Sequence, residues 1–532
     1  MSVYTSIDHS TNPPTVEVPR DYNAATDFID RHLEQGRADK VAILDETGSH
    51  TYGALADRVN RSGNALLAMG AVMEQRIMMC VLDTIDFPAV FFGGMKAGLV
   101  PVATNTLLTT KDYDYMLSDS RARILVVSDL LYEKFEPLLA DAKFLDKIVI
   151  AGQGASEIAK RDGHLVLDDL IAAASNKLDT APTVADDAGF WLYSSGSTGA
   201  PKGAVHLQSD LVNSAVLYGE GVLGIREDDI VFSAAKLFFA YGLGNGMSFP
   251  LHVGATAVLM SGRPTPETVM AQLKQHNPTI YYGVPTLYGA MLADDNCKPE
   301  NGSNAMRACV SAGEALPEDI ARRWKERFEV DILDGLGSTE MLHIFLSNAP
   351  DDLRYGTSGK AVPGYDLKLV GEDDLPVAQG EIGELIVRGP TTATVYFNNR
   401  AKSTATFQGA WTRTGDKYTQ DEDGYFVYSG RSDDMLKVGG IWVSPFEVES
   451  ALLAHEAVLE VAVVGKADGK DLIKPQAHIV LKEGKGSDEL AEELKAFVKD
   501  RLALYKYPRW IEFVEDLPKT ATGKIQRYKL RA

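Results

Sequence analysis

The sequence predicts an α/β protein: a large N-terminal domain of parallel α/β subdomains with a small β-rich subdomain, followed by a small α+β C-terminal domain. Three observations carry the prediction. Strand-like apolar runs alternate with helical periods from residue 76 onward, the pattern of βαβ units and a mainly parallel sheet. Between about residues 355 and 428 the texture changes to short β-rich runs separated by Gly, Pro and Asp. Beyond Gly430-Arg431-Ser432-Asp433-Asp434, roughly 100 residues alternate amphipathic helices and strands, enough for an independent domain.

In order along the chain, the run 76–82 reads as a strand, 86–97 as a helix closing near Gly98, 100–103 as a strand, 111–117 as a helix and 123–128 as a strand. Phe190-Trp191-Leu192-Tyr193 reads as a short buried strand, and the Gly/Ser-rich loop behind it as the entry to a helix. The alternation resumes with a helix around 210–218, strands at 230–233 and 256–260, and a helix at 266–275. Strands at 367–370, 383–387 and 425–428 form the antiparallel subdomain. The last stretch reads as helix 445–454, strands 458–464 and 477–481, helix 488–501 and strand 510–514. The polar, Pro-containing first 20 residues carry no period and are expected to be poorly ordered.

Composition narrows the function classes. A net charge of -21 gives a surface that repels nucleic acid and anionic membranes, so neither is an expected partner. Basic groups gather at the end: Arg501 to Ala532 holds eight Lys/Arg against three Asp/Glu, a tail suited to a phosphate ligand or simply a solvated face. Three widely spaced cysteines, Cys80, Cys297 and Cys309, argue against a disulfide framework or a structural zinc site and fit a reducing, cytoplasmic compartment. No leader pattern opens the chain. The most apolar stretch, 87–104, is broken by Pro88, Lys96 and Pro101, so no membrane span is expected.

The densest chemical signal is Tyr193-Ser194-Ser195-Gly196-Ser197-Thr198-Gly199-Ala200-Pro201-Lys202-Gly203. Glycines admit close approach of backbone amides to an anion, hydroxyls donate hydrogen bonds, and lysine adds charge; a polyphosphate is the natural guest. The common phosphate loop is excluded, because Lys202 is followed by Gly203 rather than Ser or Thr.

Further segments fall into register behind this loop: Ser311-Ala312-Gly313-Glu314-Ala315-Leu316-Pro317, Asp334-Gly335-Leu336-Gly337-Ser338-Thr339-Glu340, Trp411-Thr412-Arg413-Thr414-Gly415-Asp416, Gly430-Arg431-Ser432-Asp433-Asp434-Met435-Leu436-Lys437, and Leu517-Pro518-Lys519-Thr520-Ala521-Thr522-Gly523-Lys524-Ile525. In this order and at these separations they resemble the adenylate-forming superfamily of acyl-CoA synthetases, luciferases and adenylation domains, from about residue 45 to the end. Within it, residues 234–245 and 337–348 look most like the benzoate-CoA ligases. The resemblance implies an acid-thiol ligase that makes benzoyl-AMP from benzoate and ATP, then benzoyl-CoA from CoA. It implies Mg²⁺ as cofactor and ATP and CoA as co-substrates. It divides the chain into 1–432, a hinge at 433–436, and a mobile C-terminal domain at 437–532. The oligomeric state stays open, with a homodimer as one option.

The resemblance also distributes roles. Lys524 is the expected catalytic cation, bridging a carboxylate and an α-phosphate that repel each other. Ser194, Ser195, Gly196, Ser197, Thr198, Gly199 and Lys202 are expected to hold the β- and γ-phosphates, Thr339 the α-phosphate, and Glu340 the Mg²⁺. Glu314, Ala315, Asp334 and Gly335 are expected at the adenine, and Asp416 and Arg431 at the ribose. Ala240, Tyr241, Gly337, His343 and Ile344 should form the acyl slot, with Lys437 near the carboxylate in one state. Asp433 is the expected pivot, and Gly439 and Gly440 the face of a CoA tunnel. Two departures stand out: Leu336 occupies a position where relatives often carry Tyr, and Trp442 lies where many carry Arg. The alternatives are a 4-hydroxybenzoate-CoA ligase, a carrier-loading adenylation enzyme, against which the lack of a carrier segment after Ala532 weighs, and a non-catalytic nucleotide sensor, against which Lys202 and Lys524 weigh.

Overall fold

The computed structural model describes residues 3–194, 200–432, 434–438, 441–468, 472–519 and 525–531, and of Ile441 and Trp442 the backbone alone. Two large sheets dominate the first 400 residues. In one, the strands Ile332–Gly337, Ala308–Ser311, Ile280–Gly283, Ile230–Ser233, Thr256–Val258 and Val41–Asp45 lie side by side and all parallel. The central strands Ala308–Ser311, Ile280–Gly283 and Ile230–Ser233 are covered on both faces, which is why they read as mostly apolar runs rather than alternating ones. Because they are parallel, their carboxyl ends share one edge. The loops after 230–233, 308–311 and 332–337 gather there, where open α/β sheets bind ligands.

The other sheet carries Ala188–Ser194, Val100–Ala103, Arg76–Cys80, Ile124–Ser128, Lys147–Ala151 and Leu165–Val166 in parallel order. Lys202–Leu207 pairs antiparallel with Ala188–Ser194, and Val395–Tyr396 adds antiparallel to Lys202–Leu207. The Gly/Ser loop therefore closes a hairpin, with Ser194 opposite Lys202, and does not lead into a helix as expected; the helix starts at Asp210. Pro201 and Gly203 disfavour a helix there, and pairing on both sides supplies the strand's hydrogen bonds. The helix expected over 210–218 is α-helical to Ser214 and π-helical over Ala215–Glu220; further π-turns span Thr26–Asp30 and Gly244–Ser248.

The first residues are also ordered, contrary to their composition. Ser6–Asp8 and Thr15–Glu17 form a hairpin. It is tied down by polar contacts and by Ile7 and Val16, which pack against the main core: Thr5 Oγ1 donates to the buried Asp27 at 2.6 Å, and Arg31 pairs with Asp27 while donating to the Thr5 carbonyl at 2.8 Å.

The β-rich subdomain is a sheet of Asp366–Val370, Gly383–Arg388, Trp411–Gln420 and Phe407–Gln408, with Phe426–Arg431 on Trp411–Gln420. Its register sets Asp416 opposite Arg431. Beyond it, Val458–Ala467, Ile473–Leu481 and Trp510–Phe513 form a sheet under helices Pro445–Leu453 and Asp488–Lys499. Val448 and Leu452 of one helix and Leu494 and Val498 of the other, four apart, enter its core with Val463 and Ile479. Arg527 meets the buried Glu449 through two hydrogen bonds of 3.0 and 2.7 Å, fastening the end of the chain to this body. Among the described residues no helix is long and apolar enough to cross a membrane.

Candidate active site

The site grows from strand Lys202–Leu207, next to the short edge strand Val395–Tyr396. Strand alternation places Lys202, Ala204 and His206 on one face. Lys202 Nζ reaches the Tyr396 hydroxyl at 3.4 Å and lies 4.4 Å from the centre of its ring. The same hydroxyl donates to Glu340 Oε1 at 2.7 Å. His206 contacts the buried Asp210 carboxylate through Nδ1 and the Thr339 carbonyl through Nε2, both at 2.8 Å. Strand 202–207 thus meets the Thr339–Met341 turn directly through His206 and, from Lys202, only by way of Tyr396. Burial alone would raise the Glu340 carboxyl, but Tyr396, Lys202 and further hydrogen bonds hold it below the usual carboxylate range. Lys202 is lowered by burial, against the pull of Glu340.

Among the described residues no group of three or more His, Cys, Asp or Glu is arranged around a metal. Glu340 offers instead a single ionised carboxylate near Lys202. That donor fits Mg²⁺, which keeps waters and takes one or two carboxylates plus substrate phosphates, and does not fit zinc.

Strand pairing sets Ser311 opposite Asp334, the loop that follows it carries Glu314 and Ala315 on to Leu316, whose backbone comes near the Asp334 carboxyl, and Ser358 Oγ donates to that carboxyl at 3.3 Å. Burial pushes this carboxyl well above the usual range, and its Oδ1 is buried without a hydrogen-bond partner. Asp416 pairs with Arg431 at 3.1 Å, and Arg431 also donates to the Thr414 carbonyl at 3.2 Å. The two expected ribose residues are thus already joined. Leu336 is half-buried and faces Leu346 across the antiparallel pair 332–337/344–347.

The residues expected at the acyl group meet where Gly337 and Ile344 pair. Tyr241 Oη donates to the carbonyls of Gly283 and Val310, at 3.2 and 3.1 Å, which fixes the 240–243 turn on the carboxyl ends of two strands. His343 Nε2 lies 3.2 Å from the Tyr241 carbonyl. A carbonyl only accepts, so Nε2 carries the proton and Nδ1 is a bare acceptor, buried without a partner. The His343 ring packs among Tyr218, Tyr241 and Phe249 at centroid distances of 5.3, 5.7 and 4.5 Å. Burial lowers its pKa to about 3 against the Tyr241 carbonyl, so the imidazole is neutral. Two glycines permit this packing: a Cβ on Gly244 would lie 2.4 Å from His343 Cδ2, and one on Gly337 would lie 2.7 Å from the His343 carbonyl oxygen. Ile344 is buried and Ala240 nearly so.

The structure therefore gathers Ser194, Lys202, Thr339 and Glu340 at one end, and Ala240, Tyr241, Gly337, His343 and Ile344 at the other, of one turn. Lys437 is exposed on strand Leu436–Val438. Ser195, Gly196, Ser197, Thr198, Gly199, Asp433, Gly439, Gly440 and Lys524 lie outside the described residues. Tyr396, His206 and Asp210 went unremarked in the sequence. His206 was within reach, two strand periods beyond Lys202; Tyr396 was not, being 194 residues away.

A model of the AMP-binding enzyme family matches residues 29–397, more than half of the chain. The chain belongs to the AMP-binding enzyme family. The AMP-binding enzyme C-terminal domain matches residues 447–524, carrying the relationship into the smaller body. The chain is 60% identical to a protein of Thauera aromatica named benzoate-CoA ligase, over 99% of this chain and 98% of that one. It is 48% identical to the 4-hydroxybenzoate-CoA/benzoate-CoA ligase of Rhodopseudomonas palustris, over 96% and 94%. Among solved structures, a benzoate CoA ligase from Burkholderia xenovorans superimposes with TM-score 0.89 at 50% identity, covering 96% of this chain and 100% of that one. The anthranilate CoA ligase AuaEII with anthranoyl-AMP gives 0.93 at 44% identity, covering 96% and 97%.

Proposed function

We propose that this protein is an ATP-dependent aryl-CoA ligase that converts benzoate and CoA to benzoyl-CoA, releasing AMP and pyrophosphate, through benzoyl-AMP. The observation that carries this reading is the turn 337–344. It links Glu340 through Tyr396 to Lys202 and the Thr339 carbonyl to His206 at one end, and His343 to Tyr241 at the other. An anion site and an aromatic-walled slot held by one short segment suit a reaction that joins an aryl carboxylate to a nucleotide phosphate. The 60% identity to a benzoate-CoA ligase along nearly the whole chain supports it.

In the first step a benzoate oxygen attacks the α-phosphorus and pyrophosphate leaves. Lys202 and the Gly/Ser loop hold the departing phosphates, Thr339 the α-phosphate, and Glu340 a Mg²⁺ that neutralises phosphate charge when bound. Glu314, Ala315, Asp334 and Gly335 hold adenine, and Asp416 and Arg431 the ribose. Lys524 supplies the charge where carboxylate and phosphate meet. In the second step the CoA thiolate attacks the benzoyl carbonyl and AMP leaves. Residues 437–532 turn about 433–436 between the steps, withdrawing Lys524 and bringing Gly439 and Gly440 to line the pantetheine arm, with Lys437 near the carboxylate in one of the two states.

The R. palustris relative, named for both 4-hydroxybenzoate and benzoate, favours 4-hydroxybenzoate as a second substrate. The test is AMP release on adding benzoate, with and without CoA. A ligase gives sustained, CoA-dependent AMP and a thioester; a carrier-loading enzyme gives no free thioester, and a sensor gives neither product.

A further inference from the structure

Tyr396 lies between the two charged groups on which ATP binding is proposed to depend, and neither the family motifs nor the roles assigned above use it. Its phenol has one proton, donated to Glu340 Oε1 at 2.7 Å, the length of a charge-assisted bond. The lone pairs of the same oxygen face Lys202 Nζ at 3.4 Å, and the ammonium also stands 4.4 Å from the ring centre, within cation–π range. One side chain thus satisfies a cation and an anion that would otherwise satisfy each other.

The backbone makes this placement firm. Tyr396 sits opposite Ala204 across the antiparallel pair, so Lys202 is its diagonal neighbour on the same face, a separation long side chains span. Ala204 has too little bulk to intervene. The Phe397 amide donates to the Gly203 carbonyl and the Ala393 amide to the Glu340 carbonyl, both at 2.8 Å. The short strand is therefore bonded to the lysine's strand on one side and to the glutamate's turn on the other. The ring is buried, only 3% exposed, against Phe407.

We infer that Tyr396 is a positioning residue that insulates Lys202 from Glu340, keeping the ammonium available to ATP phosphates and the carboxylate available to Mg²⁺. This rests on the ATP and Mg²⁺ roles proposed for Lys202 and Glu340. A direct Lys202–Glu340 pair would neutralise both groups, and each incoming ligand would first have to break it. Phenylalanine would keep the ring but could neither donate to the carboxylate nor accept from the ammonium.

The test is calorimetric ATP binding, with MgCl₂ and with EDTA, to wild type, Tyr396→Phe, Glu340→Gln and the double variant, with thermal midpoints alongside. Losing one charged hydrogen bond and exposing the pair should weaken MgATP binding about tenfold in Tyr396→Phe. In the Glu340→Gln background, where no carboxylate remains to capture Lys202, the same change should cost less than about twofold. Wild-type affinity in Tyr396→Phe, or an undiminished loss in the Glu340→Gln background, overturns the inference; the second result assigns Tyr396 to packing alone. If Glu340→Gln binds ATP as wild type does, with the same dependence on MgCl₂, the metal role of Glu340 fails first and the inference falls with it. Lys202→Met and Glu340→Gln provide a check that leaves Tyr396 intact. Insulated groups should give losses that add to within about twofold, whereas a directly paired lysine and glutamate would give strongly non-additive losses and overturn the inference.

Discussion

Replacing Gly337 by Ala tests the idea that one segment serves both ends of the site. Gly337 ends strand Ile332–Gly337 at the irregularity where that strand pairs with Ile344–Ser347. A Cβ there would lie 2.7 Å from the His343 carbonyl oxygen, 2.8 Å from its carbon and 2.9 Å from the Ile344 nitrogen. All three are backbone atoms of a paired strand and cannot rotate away. The turn between, which carries Thr339 and Glu340, must open by a few tenths of an ångström or more. Overpacking of this kind costs roughly 1–3 kcal/mol. If that strain falls on the reacting geometry, kcat/KM for benzoate drops about 5- to 150-fold, at 1.4 kcal/mol per factor of ten. The assay is steady-state thioester formation, with pyrophosphate exchange to isolate the first step; both should fall together, because Thr339 and the acyl slot share the turn. Gly289→Ala is the control. It lies within helix Pro285–Ala293, where an added Cβ meets nothing closer than Ile320 Cδ1 at 3.5 Å, so activity should be unchanged and stability up by about 0.5–1 kcal/mol. Full benzoate activity in Gly337→Ala would refute the reasoning, since the contacts leave no unstrained place for the methyl group.

Lys524→Ala should slow benzoyl-AMP formation by about 10²–10³, the loss of roughly 3–4 kcal/mol of transition-state stabilisation, while supplied benzoyl-AMP still reacts with CoA; equal loss in both half-reactions would remove its step-specific role. Asp433→Pro, which fixes φ near -65°, and Gly440→Leu, which fills the proposed tunnel, should damage the thioester step more than adenylation, as single-turnover measurements of each step would reveal. Stability should fall with acid. Burial lowers His32 to about 4 and His343 to about 3, below the value of an unfolded histidine, so the unfolded state binds more protons and stability is lost as pH falls from about 6.5. At pH 5 each histidine costs about 2 kcal/mol. Asp83, whose carboxyl burial raises to about 6, opposes them: it is protonated in the folded state first and offsets about 1 kcal/mol. His32→Gln should therefore flatten the melting temperature between pH 7 and 5, and an unchanged slope would contradict the burial argument.

Much of this architecture was legible because burial writes itself into the sequence. The parallel strands 76–80, 124–128 and 230–233 are covered on both faces and appear as unbroken apolar runs, and the helices 266–276 and 488–499 show their spacing of three and four. Strand Lys202–Leu207 was missed because its Pro, Gly and Ala surroundings carry no strand preference; it is a strand because 188–194 and 395–396 hydrogen-bond to it. The N-terminal hairpin was missed for a related reason: what orders it is tertiary contact, Thr5 and Arg31 converging on the buried Asp27 carboxylate and Ile7 and Val16 packing on the core, in a segment too short to show a period. Within the site, types and positions of Lys202, Glu340, Tyr241 and His343 could be anticipated from motifs. What they touch could not. Tyr396 lies 56 residues from Glu340 in sequence, and the tautomer of His343 is set by a carbonyl 102 residues away.

The measurement that bears most directly on the central claim is kcat/KM across benzoate, 4-hydroxybenzoate, cyclohexanecarboxylate and acetate, with ATP and CoA saturating. The proposed acyl slot would be walled by the aromatic Tyr241, the neutral His343 and the aliphatic Ile344. Each buried methylene-sized group is worth about 0.8 kcal/mol, so acetate forfeits several kcal/mol. A para-hydroxyl is rejected by an apolar pocket only about a hundredfold at most, which leaves 4-hydroxybenzoate second. Benzoate is expected to lead, with acetate lower by at least about 10³. A clear lead for 4-hydroxybenzoate would change only the preferred acid, whereas acetate equal to benzoate would contradict the aryl-CoA ligase account itself.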